Sequence, residues 1–165
     1  MSFQFTNEAA FRATSDATSE HYHIPEYLIG MGFRARLLML AHGNRTFLGR
    51  IERYYTTVVP PQHCNDVLSG LIAWTLHIDT AASRRIEVHA ADRRDFSKDE
   101  ALAISAIATS QHSVPRETQM LLSDLIGESA YHEVLNATNR FAATLNYAGL
   151  VLSAQNAVLP MGAIP

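Results

Sequence analysis

From Leu68 onward, core-compatible side chains return at Leu71, Trp74, Thr75, Ile78 and Ala82, then at Ile86, His89 and Ala90. That recurrence is close to the i, i+3, i+4, i+7 stripe that a helix buried on one face requires. The spacing predicts a long amphipathic helix through this region. A kink is expected near Asp79-Thr80, either of which could cap a second helix carrying His89.

The punctuation on either side is also helical. Thr6 can cap a first helix through Asn7 to Phe11, and Pro25 suits the first turn of a second. Gly30 and Gly32 are expected to interrupt that segment before Phe33 to Ala41 restarts it. His42-Gly43-Asn44 reads as a turn in which Asn44 caps a helix from Arg45 to Val59. Pro60-Pro61 then ends that helix, because proline removes a donor and restricts the residue before it. Ser97-Lys98-Asp99-Glu100 is a capping box opening Ala101 to Ser110. Pro115 and Glu117 start a helix ending near Gly127, and the last runs from about Ser129 to Tyr147, stopping at Gly149. The apolar tail from Val151 to Pro165 holds two prolines and a glycine, and is expected to pack across a neighbouring surface without forming a helix. Runs of β-branched residues are scarce. The expectation is therefore a single all-α domain over residues 1–165, a helical bundle of six to eight helices with no sheet.

The 165 residues match one domain, and a 47% hydrophobic content is enough for a real core. A net charge of −3 argues against nucleic acid as a partner, since phosphate binding needs a concentrated cationic surface. Arg84-Arg85 and Arg93-Arg94 are interleaved with Glu87, Asp92 and Asp95, which reads as a solvated helix face before a phosphate clamp. No uninterrupted apolar run reaches the roughly 18 residues that a membrane-spanning helix needs. The first residues have neither the cationic start nor the apolar centre of a signal peptide. One cysteine, Cys64, excludes an internal disulfide framework and fits a reducing compartment, so a cytoplasmic location is expected.

Paired-cysteine zinc spacing, phosphate-binding glycine loops, the dinucleotide fingerprint and the Gly-x-Ser-x-Gly elbow are all missing. His21 and His23 are two apart and would share a face only on a strand, so no metal site and no cofactor is expected. His89 is the candidate that stands out. On a continuous helix it lies within roughly 20° of Ala82 and 40° of Arg85, with Asp92 one turn on and placed to orient the imidazole. Glu87 points roughly 200° away, and His77 joins only if the helix breaks. The competing reading is a core histidine satisfied by Asp92 or a backbone carbonyl. Cys64, beside His63 near a helix start, is either an activated thiol or a small packing residue. Tyr54-Tyr55 and Tyr131-His132 offer polar groups to a pocket, or simply core.

Three segments resemble the carboxymuconolactone decarboxylase and alkylhydroperoxidase-D-like superfamily over about residues 37–150. They are Val58-Val59-Pro60-Pro61 entering an apolar helix, LIAWTLHIDTAASRRIEVHAADRRDFSKDEALAI, and NATNRFAATLNYAGL. The long middle segment resembles that family's core helix, its histidine and the capped helix after it. Aligned on His89, the family's two redox cysteines fall on Ala82 and Arg85, and its upstream glutamate falls near Gly70, with Asp66 the nearest acid. The glutamate of the non-redox branch also falls on Arg85, and Asp95-Phe96 replaces the usual turn glycine. Without a dithiol the resemblance implies a redox-silent member. It also implies a helical homo-oligomer.

Three functions follow as expectations. In the first, His89 is a general acid or base, Arg85 holds the carboxylate or enolate of a small substrate, and Asp92 fixes the imidazole tautomer, all without a cofactor. In the second, the chain is a non-catalytic helical oligomer that binds a ligand or protein partner. The third is a single-cysteine peroxidase working through Cys64 with an external reductant.

Overall fold

The computed structural model describes residues 23–127 and 131–154. These form six helices, α1 (Ile24–His42), α2 (Arg45–Val58), α3 (Pro61–Ala81), α4 (Lys98–Gln111), α5 (Pro115–Ile126) and α6 (Tyr131–Tyr147), with no strand among the described residues. The all-α bundle expected from the periodicity is therefore present. The expected helix at Asn7 to Phe11 and most of the apolar tail lie outside the described residues.

Local chemistry explains most of the boundaries. Pro25 sits in the first turn of α1, and Gly43 closes it at φ 67°, the left-handed conformation that favours glycine. The Asn44 side chain accepts from the Phe47 N–H at 3.2 Å to open α2. Pro61 stands in the first turn of α3, where a missing N–H costs nothing. The capping box of α4 has both halves in place: Ser97 Oγ accepts from the Glu100 N–H at 3.1 Å, and Glu100 Oε2 accepts from the Ser97 N–H at 2.6 Å.

Two expectations require correction. Gly30 and Gly32 do not interrupt α1, which is one continuous helix. They are small because neighbours press on them. A Cβ at Gly30 would collide with the Phe96 ring, and one at Gly32 would collide with the Tyr55 hydroxyl and lie 2.9 Å from Leu71 Cδ2. The other correction concerns the stripe. Helix α3 ends at Ala81, and residues 82–97 form an extended loop in place of the helix expected to carry His89. Ala82 is already extended at φ −61°, ψ 120°. The loop supplies hydrogen bonds elsewhere: the Ser83 N–H and hydroxyl both donate to the Ile126 carbonyl, at 2.8 and 2.9 Å.

The core centres on Trp74, fully buried between Phe33 and Phe141 with ring centroids at 5.4 and 5.2 Å. Its indole N–H donates to Thr138 Oγ1 at 3.1 Å, so its polar end is satisfied. Gly70 lets α3 approach α6, because a Cβ there would lie 2.8 Å from the Phe141 ring. After α6 the chain is pinned to the end of α4 and the start of α1. Gln111 donates to the Leu150 carbonyl at 2.9 Å and accepts from the Leu152 N–H at 2.8 Å, and Glu26 accepts from the Ser153 N–H at 2.6 Å. Leu152 and Ser153, at the start of the tail, are thereby held against α4 and α1.

Candidate functional site

The loop at 82–97 carries all three residues singled out from the sequence, and it owes its shape to two carboxylates in the first turn of α4. Glu100 and Arg34 form an ion pair in which both side chains are 0% exposed. Arg34 Nε donates to Glu100 Oε1 at 2.6 Å and Nη2 to Oε2 at 3.0 Å. The remaining guanidinium hydrogens go to loop carbonyls: Nη1 to Arg93 at 2.6 Å and Ala90 at 3.4 Å, Nη2 to Asp95 at 2.6 Å. All five donors of the fork are thereby used. Glu100 also accepts from the backbone N–H groups of Ser97 and His89, so its acceptor capacity is used too. Phe96 covers the guanidinium at 5.5 Å.

Asp99, 4% exposed, does the same for the first half of the loop. Arg84 reaches it through two nitrogens, at 2.9 and 2.7 Å, and the Glu87 N–H donates to it at 2.8 Å. Burial pushes the Asp99 carboxyl up, yet the hydrogen bonds from Arg84 and the Glu87 N–H outweigh it, and its pKa lies below the ordinary value. Arg84 shifts upward in return, chiefly through the same hydrogen bond.

Within this frame His89, Arg85 and Asp92 do not converge. His89 is partly exposed on the loop, and its Nδ1 lies 3.2 Å from the Asp95 carbonyl oxygen and 3.5 Å from Asp95 Oδ1. The carboxylate beside the imidazole is thus that of Asp95, not Asp92, because the loop turns back on itself where a helix would have advanced one turn. Arg85 and Asp92 are both exposed. Arg93 holds the Asp95 carboxylate through two hydrogen bonds, at 2.8 and 2.7 Å, and keeps its pKa well below the usual carboxylate range. Cys64 is buried at 9% exposure in the first turn of α3, the environment of a packing residue.

A concave surface lies elsewhere, between α3 and α6. It is an open trough of about 840 Å³. Gly70, Ala73, Trp74, Ala137 and Phe141 make its floor, and His63, Asp66, His77, Glu133, Arg140 and Tyr147 stand around it. The two helices run antiparallel, since His63 meets Tyr147 edge-on at 6.3 Å while Gly70 meets Phe141. Small residues on the seam keep the floor low, and the next positions round each helix raise polar walls. The helical period from Leu68 hides this surface, because it draws attention to the buried stripe and away from its flanks. Arg34 is legible in principle: a charge in the middle of the apolar run from Tyr27 to Ala41 demands a buried partner.

Among the described residues no group of three or more His, Cys, Asp or Glu side chains could hold a metal ion, and no helix is long and apolar enough to cross a membrane. Compared with known proteins, the chain matches no family model, no curated protein and no solved structure.

Proposed function

We propose that the protein is a non-catalytic helical binding domain, and that the trough between α3 and α6 takes the matching helix pair of a second copy. The observation that carries this reading is the make-up of the trough. A floor of small and aromatic residues is bordered by both signs of charge, Asp66 and Glu133 against Arg140, with His63 and His77 as weak bases. None of these five side chains has a hydrogen bond or ion pair to another described residue. A twofold interface needs one patch that complements itself, which a surface of mixed sign does and a surface of one sign cannot. Tyr147, 86% exposed on α6 at the edge of the trough, extends the apolar area beyond the floor. Two antiparallel helix pairs laid face to face form a four-helix arrangement that would cover it.

Sedimentation equilibrium tests it. The wild-type chain is expected at twice its 18.3 kDa mass, and Ala137→Arg, which raises a long cation from the floor, at the single mass with unchanged helical circular dichroism. A wild-type chain that stays at the single mass over the whole concentration range removes the second copy as the occupant.

An alternative reading has one observation behind it. A ring nitrogen that faces a carbonyl oxygen must carry the proton, so the Asp95 carbonyl fixes the His89 Nδ1–H tautomer and leaves Nε2 as the basic nitrogen. That is the arrangement of a general base, here serving cofactor-free acid–base chemistry on a small carboxylate. Deuterium exchange next to the carbonyl of small keto acids, followed by proton NMR, tests it. Exchange present with wild type and lost in His89→Gln supports the reading, and equal exchange with both proteins removes it.

A further inference from the structure

Arg36 lies two residues from Arg34 on the same helix and is treated quite differently by the fold. Arg34 uses every donor; Arg36 is 8% exposed and makes no hydrogen bond or ion pair to another described residue. Its Nε is sealed from solvent without a partner, and only the outer Nη edge retains contact with water. Sealing the Nε–H of a guanidinium from water without giving it an acceptor is unfavourable. Burial accordingly lowers the Arg36 pKa, with the Glu52 carboxylate on α2 acting in the opposite direction from beyond ion-pair distance.

The two helices carry an excess of basic side chains. Helices α1 and α2 carry Arg34, Arg36, Arg45, Arg50 and Arg53 against Glu26 and Glu52, within a chain whose overall charge is −3. Arg34 is neutralised by Glu100, whereas Arg45, Arg50 and Arg53 are exposed along α2. Exposed cations along α2 favour the approach of an anion to this helix pair.

From the unpartnered guanidinium and the basic helix beside it, we infer that Arg36 is the receptor of an oxyanion site between α1 and α2, taking the phosphate or carboxylate group of a small ligand. The planar fork donates to two oxygens of such a group from its Nη edge, the edge still open to solvent. The Glu52 carboxylate, acting on Arg36 from beyond ion-pair distance, competes with the ligand for that charge.

Thermal unfolding in inorganic phosphate, against chloride at equal ionic strength, tests the assignment. Wild type is expected to gain about 3–6 °C in Tm once phosphate stands about tenfold above its dissociation constant. Arg36→Met is expected to lose that gain and, in chloride, to melt no lower than wild type, because an unsatisfied charge has been replaced by an apolar side chain of similar length. Glu52→Gln removes the competing carboxylate and is expected to reach the same gain at lower phosphate. Acetate in place of phosphate then separates carboxylate from phosphate ligands by which of the two shifts Tm at the lower concentration. A phosphate gain that persists in Arg36→Met overturns the assignment, and so does an Arg36→Met protein that melts well below wild type in chloride, since the guanidinium would then already have its partners.

Discussion

Arg34 and Glu100, sixty-six residues apart, meet through two hydrogen bonds of 2.6 and 3.0 Å with neither side chain exposed to solvent. The pair joins the middle of α1 to the first turn of α4, where a carboxylate is favoured by the helix dipole. Its remaining capacity holds the loop between α3 and α4. Taking two charges out of water is unfavourable in itself, and good geometry with every donor satisfied offsets that. The pair therefore specifies where the loop goes more than it adds to stability.

Breaking it from one side leaves the other charge buried and alone. Arg34→Met is expected to lower the unfolding free energy by about 3–5 kcal/mol in urea titrations. Amide hydrogen exchange should quicken first at the Ser97 and His89 N–H groups, which depend on Glu100. A loss below about 1 kcal/mol with unchanged exchange would mean that the loop is held by something other than this pair.

Asp99 gives the fold an acid limb. Its folded pKa is depressed below the ordinary 3.8, so its contribution is complete above that value and is lost as pH falls through the folded pKa. Asp99→Asn keeps the shape but loses the charge that Arg84 and the Glu87 N–H address. It is expected to destabilise by roughly 1–3 kcal/mol at neutral pH. Below pH 3.8 its stability should converge on that of wild type, a trend read from urea midpoints across the pH range. Midpoints that stay equally far apart at low pH would show that packing, not charge, sets the difference.

What the sequence reveals and what it conceals divide along the range of the forces. Caps, prolines and the Gly43 turn act within a few residues, and they mark the boundaries of α2, α4 and α5 to within a few positions. The stripe from Leu71 to Ile78 is legible for the same reason. His89 is misplaced by its sequence pattern because Ile86, His89 and Ala90 continue a helical period by coincidence. What decides that segment is the pair of carboxylates at Asp99 and Glu100, which draw the loop's N–H groups and, through Arg34 and Arg84, its carbonyls away from helix. Arg34, Asp99 and Glu100 come from α1 and α4, and no local period reports them. The flanks of α3 and α6 are similarly silent, since a trough exists only once the two helices are side by side.

Loop placement also sets how well each His89 variant is tolerated. The imidazole is partly exposed, and among the described residues its polar partner is Asp95, through its carbonyl and an exposed carboxylate. His89→Gln is therefore expected to change the unfolding free energy by less than about 1 kcal/mol. A larger loss would place the imidazole among the groups that hold the loop.

The glycines of α1 and α2 provide an internally controlled test of the helix packing. Gly32 and Gly49 both lie inside helices, where alanine is intrinsically better than glycine by roughly 0.5–1 kcal/mol. At Gly49 a Cβ would meet nothing within 4 Å, so Gly49→Ala should realise that gain. At Gly32 the same methyl would collide with the Tyr55 hydroxyl, which donates to the Leu28 carbonyl at 2.8 Å, and would crowd Leu71. Moving Tyr55 aside would break that hydrogen bond in a fully buried setting. Gly32→Ala is therefore expected to destabilise by about 1–3 kcal/mol despite its better helix propensity. Urea midpoints for the two variants should move in opposite directions. If both rise, α1 and α2 do not pack as closely at Tyr55 as this arrangement requires.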